Sequence, residues 1–364
     1  MRVVVTVQHP AHVHFFRPIV EALTADDHEV FVFAREKDVA TRLLVRFGIP
    51  HQVLAGTADS LPRLLAVQAA YEYRLWREVR RLEPDVVTAI GGMAAAHVSA
   101  VTSARSVVFT DSEVAGNRLT VPFADVVCTP RNFGQEFGDV QVRYDGFHEL
   151  AYLHPNRFEP DPEALRAHGV DPAEQFAVVR FSDMAAHHDV GQAGLSRQGK
   201  LDLVATLAGY GSVFVSAEGA EGTEGEGETD LGGQALPVPP HLVHHLLAFA
   251  DLFVTDSSTM ATEAALLGTP TIRSNSFAGE DDLSNFEELS NYGLVYSTPD
   301  ERDALDLAET LAAEPAVAAE TWRERRDQLL AEKIDVAAFA VEALSTAADP
   351  TTEPDALAEV GSRA

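Results

Sequence analysis

Short apolar runs and longer amphipathic stretches alternate along the chain. Residues 3–7, 29–33, 85–90, 106–109 and 125–129 are β-rich runs, and 16–25 and 64–82 repeat apolar residues at helical spacing. Strands alternating with helices in this way predict βαβ units around a parallel sheet. The second half repeats the style, with predicted strands at 177–181, 212–216, 252–255 and 271–272 and helices near 200–209, 242–250 and 260–267. Between the halves, 152–172 carries His154-Pro155, Pro160, Pro162 and Pro172, which break the periodicity and mark a boundary. The pattern predicts two doubly wound α/β domains, 1–155 and 173–345, followed by a polar, frayed tail at 346–364. A Gly- and Glu-dense segment, 217–233, predicts a solvated loop inside the second domain.

A length of 364 residues suits two such domains, since one domain takes about 100–200. Cys128 is the single cysteine, so no internal disulfide forms and a reducing compartment is expected. Residues 1–7 read as a first strand and not as a signal peptide, and the apolar stretch 86–110 is interrupted by Gly91-Gly92, His97 and Arg105. A cytoplasmic protein is the expectation. The net charge is -29, with only three lysines among 27 basic residues. Carboxylates in this excess repel one another in dilute salt, which predicts a protein adapted to a salt-rich interior. The same charge excludes nonspecific nucleic-acid binding, which needs clustered Lys and Arg. It also speaks against binding to anionic lipid surfaces, so no partner at a membrane surface is indicated.

The strongest local chemistry lies in Ala250-Asp251-Leu252-Phe253-Val254-Thr255-Asp256-Ser257-Ser258-Thr259-Met260-Ala261-Thr262-Glu263. A buried strand ends in small hydroxyl residues and a helix starts at once, so free N–H groups and the positive helix end face whatever lies beyond. Ser257, Ser258 and Thr259 add hydroxyls, a combination suited to phosphate, and Glu263 is placed to accept hydrogen bonds from a ribose diol. Asp256 or Ser257 can equally be plain helix caps. After the first strand, Gln8-His9-Pro10-Ala11-His12-Val13-His14 is rich in imidazole, at a strand end where doubly wound domains bind ligands. His12 is a candidate base, whereas His9 and His14 serve packing equally well. Zinc finds neither thiolate nor paired carboxylates there. Asp111, after the run at 106–109, is a second candidate base, and Gly91-Gly92 makes a close approach or a tight turn. In the second half, Arg180 and His188 offer positive charge in the loop after its first strand, with an ion-pair role open to Arg180. His244 and His245 stand partly free to meet a nucleotide base, and Arg273 offers charge near the cleft.

The Asp256-to-Pro270 segment resembles the donor half-site of the GT-B glycosyltransferase and sugar-epimerase superfamily. In UDP-N-acetylglucosamine 2-epimerases an Asp-Ser-Gly-Gly run precedes a glutamate, then a glycine and a proline. Asp256, Ser257, Glu263, Gly268 and Pro270 keep that spacing, while Ser258 and Thr259 replace the two glycines. His12 falls where the peptidoglycan N-acetylglucosaminyltransferase has a Gly-Gly-His. The chain to about residue 345 resembles a narrower family, the domain of unknown function 354. That likeness rests on His9-Pro10-Ala11-His12-Val13-His14-Phe15-Phe16, on His148-Glu149-Leu150-Ala151-Tyr152-Leu153-His154-Pro155 and on the stretch from Thr259-Met260-Ala261 through Arg273-Ser274-Asn275-Ser276-Phe277. The resemblance implies two Rossmann-like domains facing a central cleft. It also implies a nucleotide-sugar donor held by Ser257, Ser258, Thr259 and Glu263, and an acceptor hydroxyl deprotonated by His12 or Asp111. A metal-independent glycosyltransferase without cofactor is the first reading. A UDP-sugar epimerase is the second, although Gly91-Gly92-Met93 stands where those epimerases have Gly-Asp. A nucleotide-sugar-binding protein without turnover is the third.

Overall fold

The computed structural model describes every residue except 37–38, 57–60, 115, 182–194, 218–228, 276–281, 350–359 and 361–364, and of 61 and 62 only the backbone. The chain divides into two compact units, Met1–Phe158 with Lys333–Ala364, and Glu159–Glu332. Among the described residues the first holds seven strands: β1 (Arg2–Val7), β2 (Glu29–Arg35), β3 (His51–Ala55), β4 (Val86–Ile90), β5 (Arg105–Phe109), β6 (Val126–Pro130) and β7 (Gln141–Tyr144). They pair in parallel in the order β3-β2-β1-β4-β5-β6-β7. Val3, Val4, Val5, Val86, Val87, Val107 and Val108 are buried, as expected of strands covered on both faces.

The second unit holds β8 (Phe176–Phe181), β9 (Ser212–Ala217), β10 (Gln234–Ala235), β11 (Leu252–Thr255), β12 (Thr271–Ser274) and β13 (Val295–Thr298). These are also parallel, in the order β10-β9-β8-β11-β12-β13. Val179, Val254 and Ile272 pack on one face against Leu203, Ala304 and Ala308. Each sheet reverses its strand order once, between β1 and β4 and between β8 and β11. Ligands of such sheets bind outside the carboxyl ends of the strands at that reversal, because the flanking helices there diverge to opposite faces.

The unit boundary falls inside the Pro-rich stretch, but the second unit does not run to residue 345. Helix Val336–Ala348 belongs to the first unit. Its buried Val336, Phe339, Ala340, Leu344 and Ala347 complete that core, and Lys333 Nζ lies 2.8 Å from Asp145 Oδ1. Residues 346–348, placed in the tail by their polarity, form its last turn because Ala347 faces the core. The Gly- and Glu-dense segment 217–233 falls mostly outside the described residues.

Candidate functional site

In the second unit β11 delivers the chain to the strand reversal, and helix Ser258–Leu267 starts two residues later. Ser257 is its N-cap with extended backbone (φ -79, ψ 126), and its side chain makes no capping hydrogen bond. The first-turn N–H groups of this helix, which have no partner within the helix, start beside the half-buried Ser257, Ser258 and Thr259. Gly268 ends the helix at φ +81, a left-handed turn that lets Thr269 N–H reach Ala264 O at 3.0 Å. One turn behind the N-terminus, Glu263 is buried, and its Oε1 lies 3.0 Å from Nε2 of the buried His244. His244 therefore serves Glu263 instead of standing open to a nucleotide base.

Thr255, the last residue of β11, lies level with Arg180 of β8 and Arg273 of β12. Parallel register puts all three side chains on one sheet face, but the two arginines differ. Arg180 is half-buried, with Nη1 3.4 Å from Ser216 Oγ. Arg273 is fully buried, its Nη1 2.6 and 2.8 Å from the two Asp282 oxygens and its Cζ 3.8 Å over the Phe286 ring. The expected cleft charge at Arg273 is thus consumed by a structural ion pair. His245 also differs from expectation: its Nδ1 accepts the Asp161 N–H at 2.9 Å, tying helix Val243–Phe249 to the start of the unit. His188 lies outside the described residues.

In the first unit Gln8 and His9 follow β1, and His9 caps helix Pro10–Ala25 by accepting the Ala11 N–H at 3.2 Å. His14 is buried against Phe47 and Tyr152, a packing role. His12 stays half-buried, with Nδ1 3.4 Å from the Gln8 N–H. Gly91 adopts φ +66, and a Cβ on Gly92 would lie 2.7 Å from Val108 Cγ2, so this pair makes a turn under tight packing. Asp111 follows β5, and His148, which sequence reasoning did not single out as a site residue, lies 3.1 Å from it through Nδ1. Burial pushes the Asp111 carboxyl up. The His148 charge, its hydrogen bond, the Asp111 backbone amide and the His12 charge outweigh that and hold it below the ordinary value. His12, Asp111 and His148 are therefore one electrostatic cluster. Among the described residues no group of three His, Cys, Asp or Glu is arranged to hold a metal, and no helix is long and apolar enough to cross a membrane.

Two parallel doubly wound units with loops at both strand reversals define the GT-B fold, shared by glycosyltransferases and sugar epimerases. Solved structures agree. A UDP-GlcNAc 2-epimerase from Neisseria meningitidis bound to UDP-GlcNAc is similar at TM-score 0.63 and 12% identity, over 95% of this chain and 99% of its own. A putative UDP-N-acetylglucosamine 2-epimerase from Listeria monocytogenes is similar at TM-score 0.67 and 13% identity, over 95% and 96%. The spinosyn forosaminyltransferase SpnP is similar at TM-score 0.63 and 15% identity, over 95% and 99%. No curated protein matches the chain in sequence. The chain belongs to the family described as protein of unknown function (DUF354), whose model matches residues 1–189.

Proposed function

We propose that the protein is a glycosyltransferase that moves a sugar from a nucleotide-diphosphate donor to an acceptor hydroxyl, with no metal or cofactor in the step. The observation that carries this reading is the first turn of helix Ser258–Leu267 at the strand reversal, left uncapped by the Ser257 side chain, with Glu263 hydrogen-bonded to His244 one turn behind it. Ser257, Ser258 and Thr259 hold the diphosphate, Glu263 holds the ribose diol, and Arg180 adds charge, with His188 joining it on sequence alone. As the glycosidic bond breaks, negative charge grows on the departing phosphate oxygen, and the helix end and Arg180 stabilise it. A local positive site matters in this chain, because its net charge of -29 repels a phosphate anion elsewhere.

The acceptor hydroxyl loses its proton to His12 or Asp111 as it attacks the anomeric carbon. The pH–rate profile separates the two. An imidazole base loses rate as pH falls through about 6.5, whereas a depressed carboxylate stays basic to below about 4. Thermal shifts in molar potassium chloride with UDP-, GDP-, CDP- and TDP-sugars test the donor site. Stabilisation by one of them, lost in Ser257→Ala with Glu263→Ala, supports the reading; no stabilisation of the folded protein by any rejects it. The epimerase reading draws support from the equal fold likeness of the epimerases, and a sugar isomer formed without acceptor would select it. Donor binding that survives loss of His12 and Asp111, with no product from the intact protein, would select the non-catalytic one.

A further inference from the structure

We infer that His148 is the positioning residue of the first unit's acid–base cluster, holding Asp111 ionised and oriented beside His12. This rests on the reading of Asp111 and His12 as the proton-handling groups. A carboxylate only accepts hydrogen bonds, so in the 3.1 Å contact the hydrogen sits on His148 Nδ1 and points at Asp111 Oδ2. The ring is fixed from two sides. Phe15 meets it edge-on at 5.1 Å, and Tyr144 lies nearly parallel at 6.2 Å and 18°.

His148 Nε2 is buried with no hydrogen-bond partner among the described residues. The contact with Asp111 is therefore the polar bond that this buried imidazole makes, and burial of a polar ring is unfavourable unless that bond matters. Exposure assigns the roles: the His148 side chain is 7% exposed and that of Asp111 is 32% exposed. Asp111 can meet a substrate, and His148 acts through Asp111 from behind.

Of the groups around Asp111, His148 and His12 are the ones whose positive charge, when protonated, favours its ionised form. Burial and then the charges of Asp111, Cys128 and Glu149 push the Tyr144 phenol well above its ordinary range, so it stays neutral. Burial also pushes the Cys128 thiol up, so it carries no charge near neutral pH. Without the His148 donor, burial would drive Asp111 toward its neutral, non-basic form.

The test follows the Asp111 carboxyl by carbon NMR in the full chain in molar potassium chloride, from pH 8 down to the onset of acid unfolding. Asp111→Asn assigns the signal and near-ultraviolet dichroism monitors the fold. His148→Leu removes the donor at similar volume, and His148→Asn restores an N–H at a similar place. The expected result is proton binding by Asp111 that is on the order of tenfold tighter or more in His148→Leu and intermediate in His148→Asn, which returns the N–H but not the charge. An Asp111 titration in folded His148→Leu that matches wild type would overturn the inference; if Leu does not fold, a wild-type titration in folded His148→Ala overturns it equally. The measurement needs no sugar, so a positive result alongside absent transferase activity would reject the proposed function and leave the role of His148 standing.

Discussion

Arg180 and Arg273 show how one residue type at equivalent strand ends takes opposite roles. Both lie level with Thr255, but Arg273 meets Asp282 from inside the core while Arg180 remains half-buried near the reversal. Breaking a buried pair leaves an uncompensated charge, which costs about 3–5 kcal/mol. Asp282→Ala is therefore expected to lower unfolding free energy by about 3 kcal/mol or more, measured by urea denaturation in high salt. Arg273→Met with Asp282→Leu, which removes both charges, should recover much of that loss. A double variant no better than the single one would refute the ion-pair account. Residue-level signals named the hydroxyl turn, Glu263, His12 and Asp111 as candidates. They did not reveal that His244 belongs to Glu263 or His148 to Asp111, because those partners lie 19 and 37 positions away along the chain.

At the scale of elements, the strands that periodicity left unassigned are β3, β7, β10 and β13. These are the four sheet edges. An edge strand pairs on one side only and mixes exposed with buried positions, as in Gln52 and Val53 of β3 or Tyr296 of β13, so no apolar run announces it. Central strands, buried on both faces, were legible. The C-terminal helix was misassigned for a related reason: its apolar face shows that it packs, but not on which unit. Lys333 and Asp145 settle that. Burial pushes the Asp145 carboxyl up, but the hydrogen bond and charge of Lys333, and then Arg131, hold it below its ordinary value. A depressed carboxylate stabilises the fold above about pH 3.9, and that contribution is lost as pH falls through the depressed value. Lys333→Met should therefore raise hydrogen exchange in Val336–Ala348 several-fold at pH 7, with little further change on acidification. Unaltered exchange there would show that apolar packing alone holds the helix.

For the whole molecule, 56 acidic against 27 basic residues set the electrostatics. The Debye length shrinks from about 10 Å at 0.1 M salt to about 3 Å at 1 M, so salt relieves carboxylate repulsion over the surface. We expect the melting temperature to rise steeply between 0.1 and 2 M potassium chloride. A flat response would reject adaptation to a salt-rich interior.

Composition, periodicity and turn chemistry by themselves determined the two parallel α/β units, the break between residues 152 and 172, and the strand-to-helix turn at Asp256–Ser258. These are local properties, written in the burial of consecutive side chains and in the residues that cap a helix. Only the tertiary structure decided which sheet receives helix Val336–Ala348, which arginine is consumed by an ion pair, and which histidine stands behind each carboxylate. Those outcomes depend on contacts between residues far apart in the chain, whose pairing energy is realised only after the sheets have brought them together.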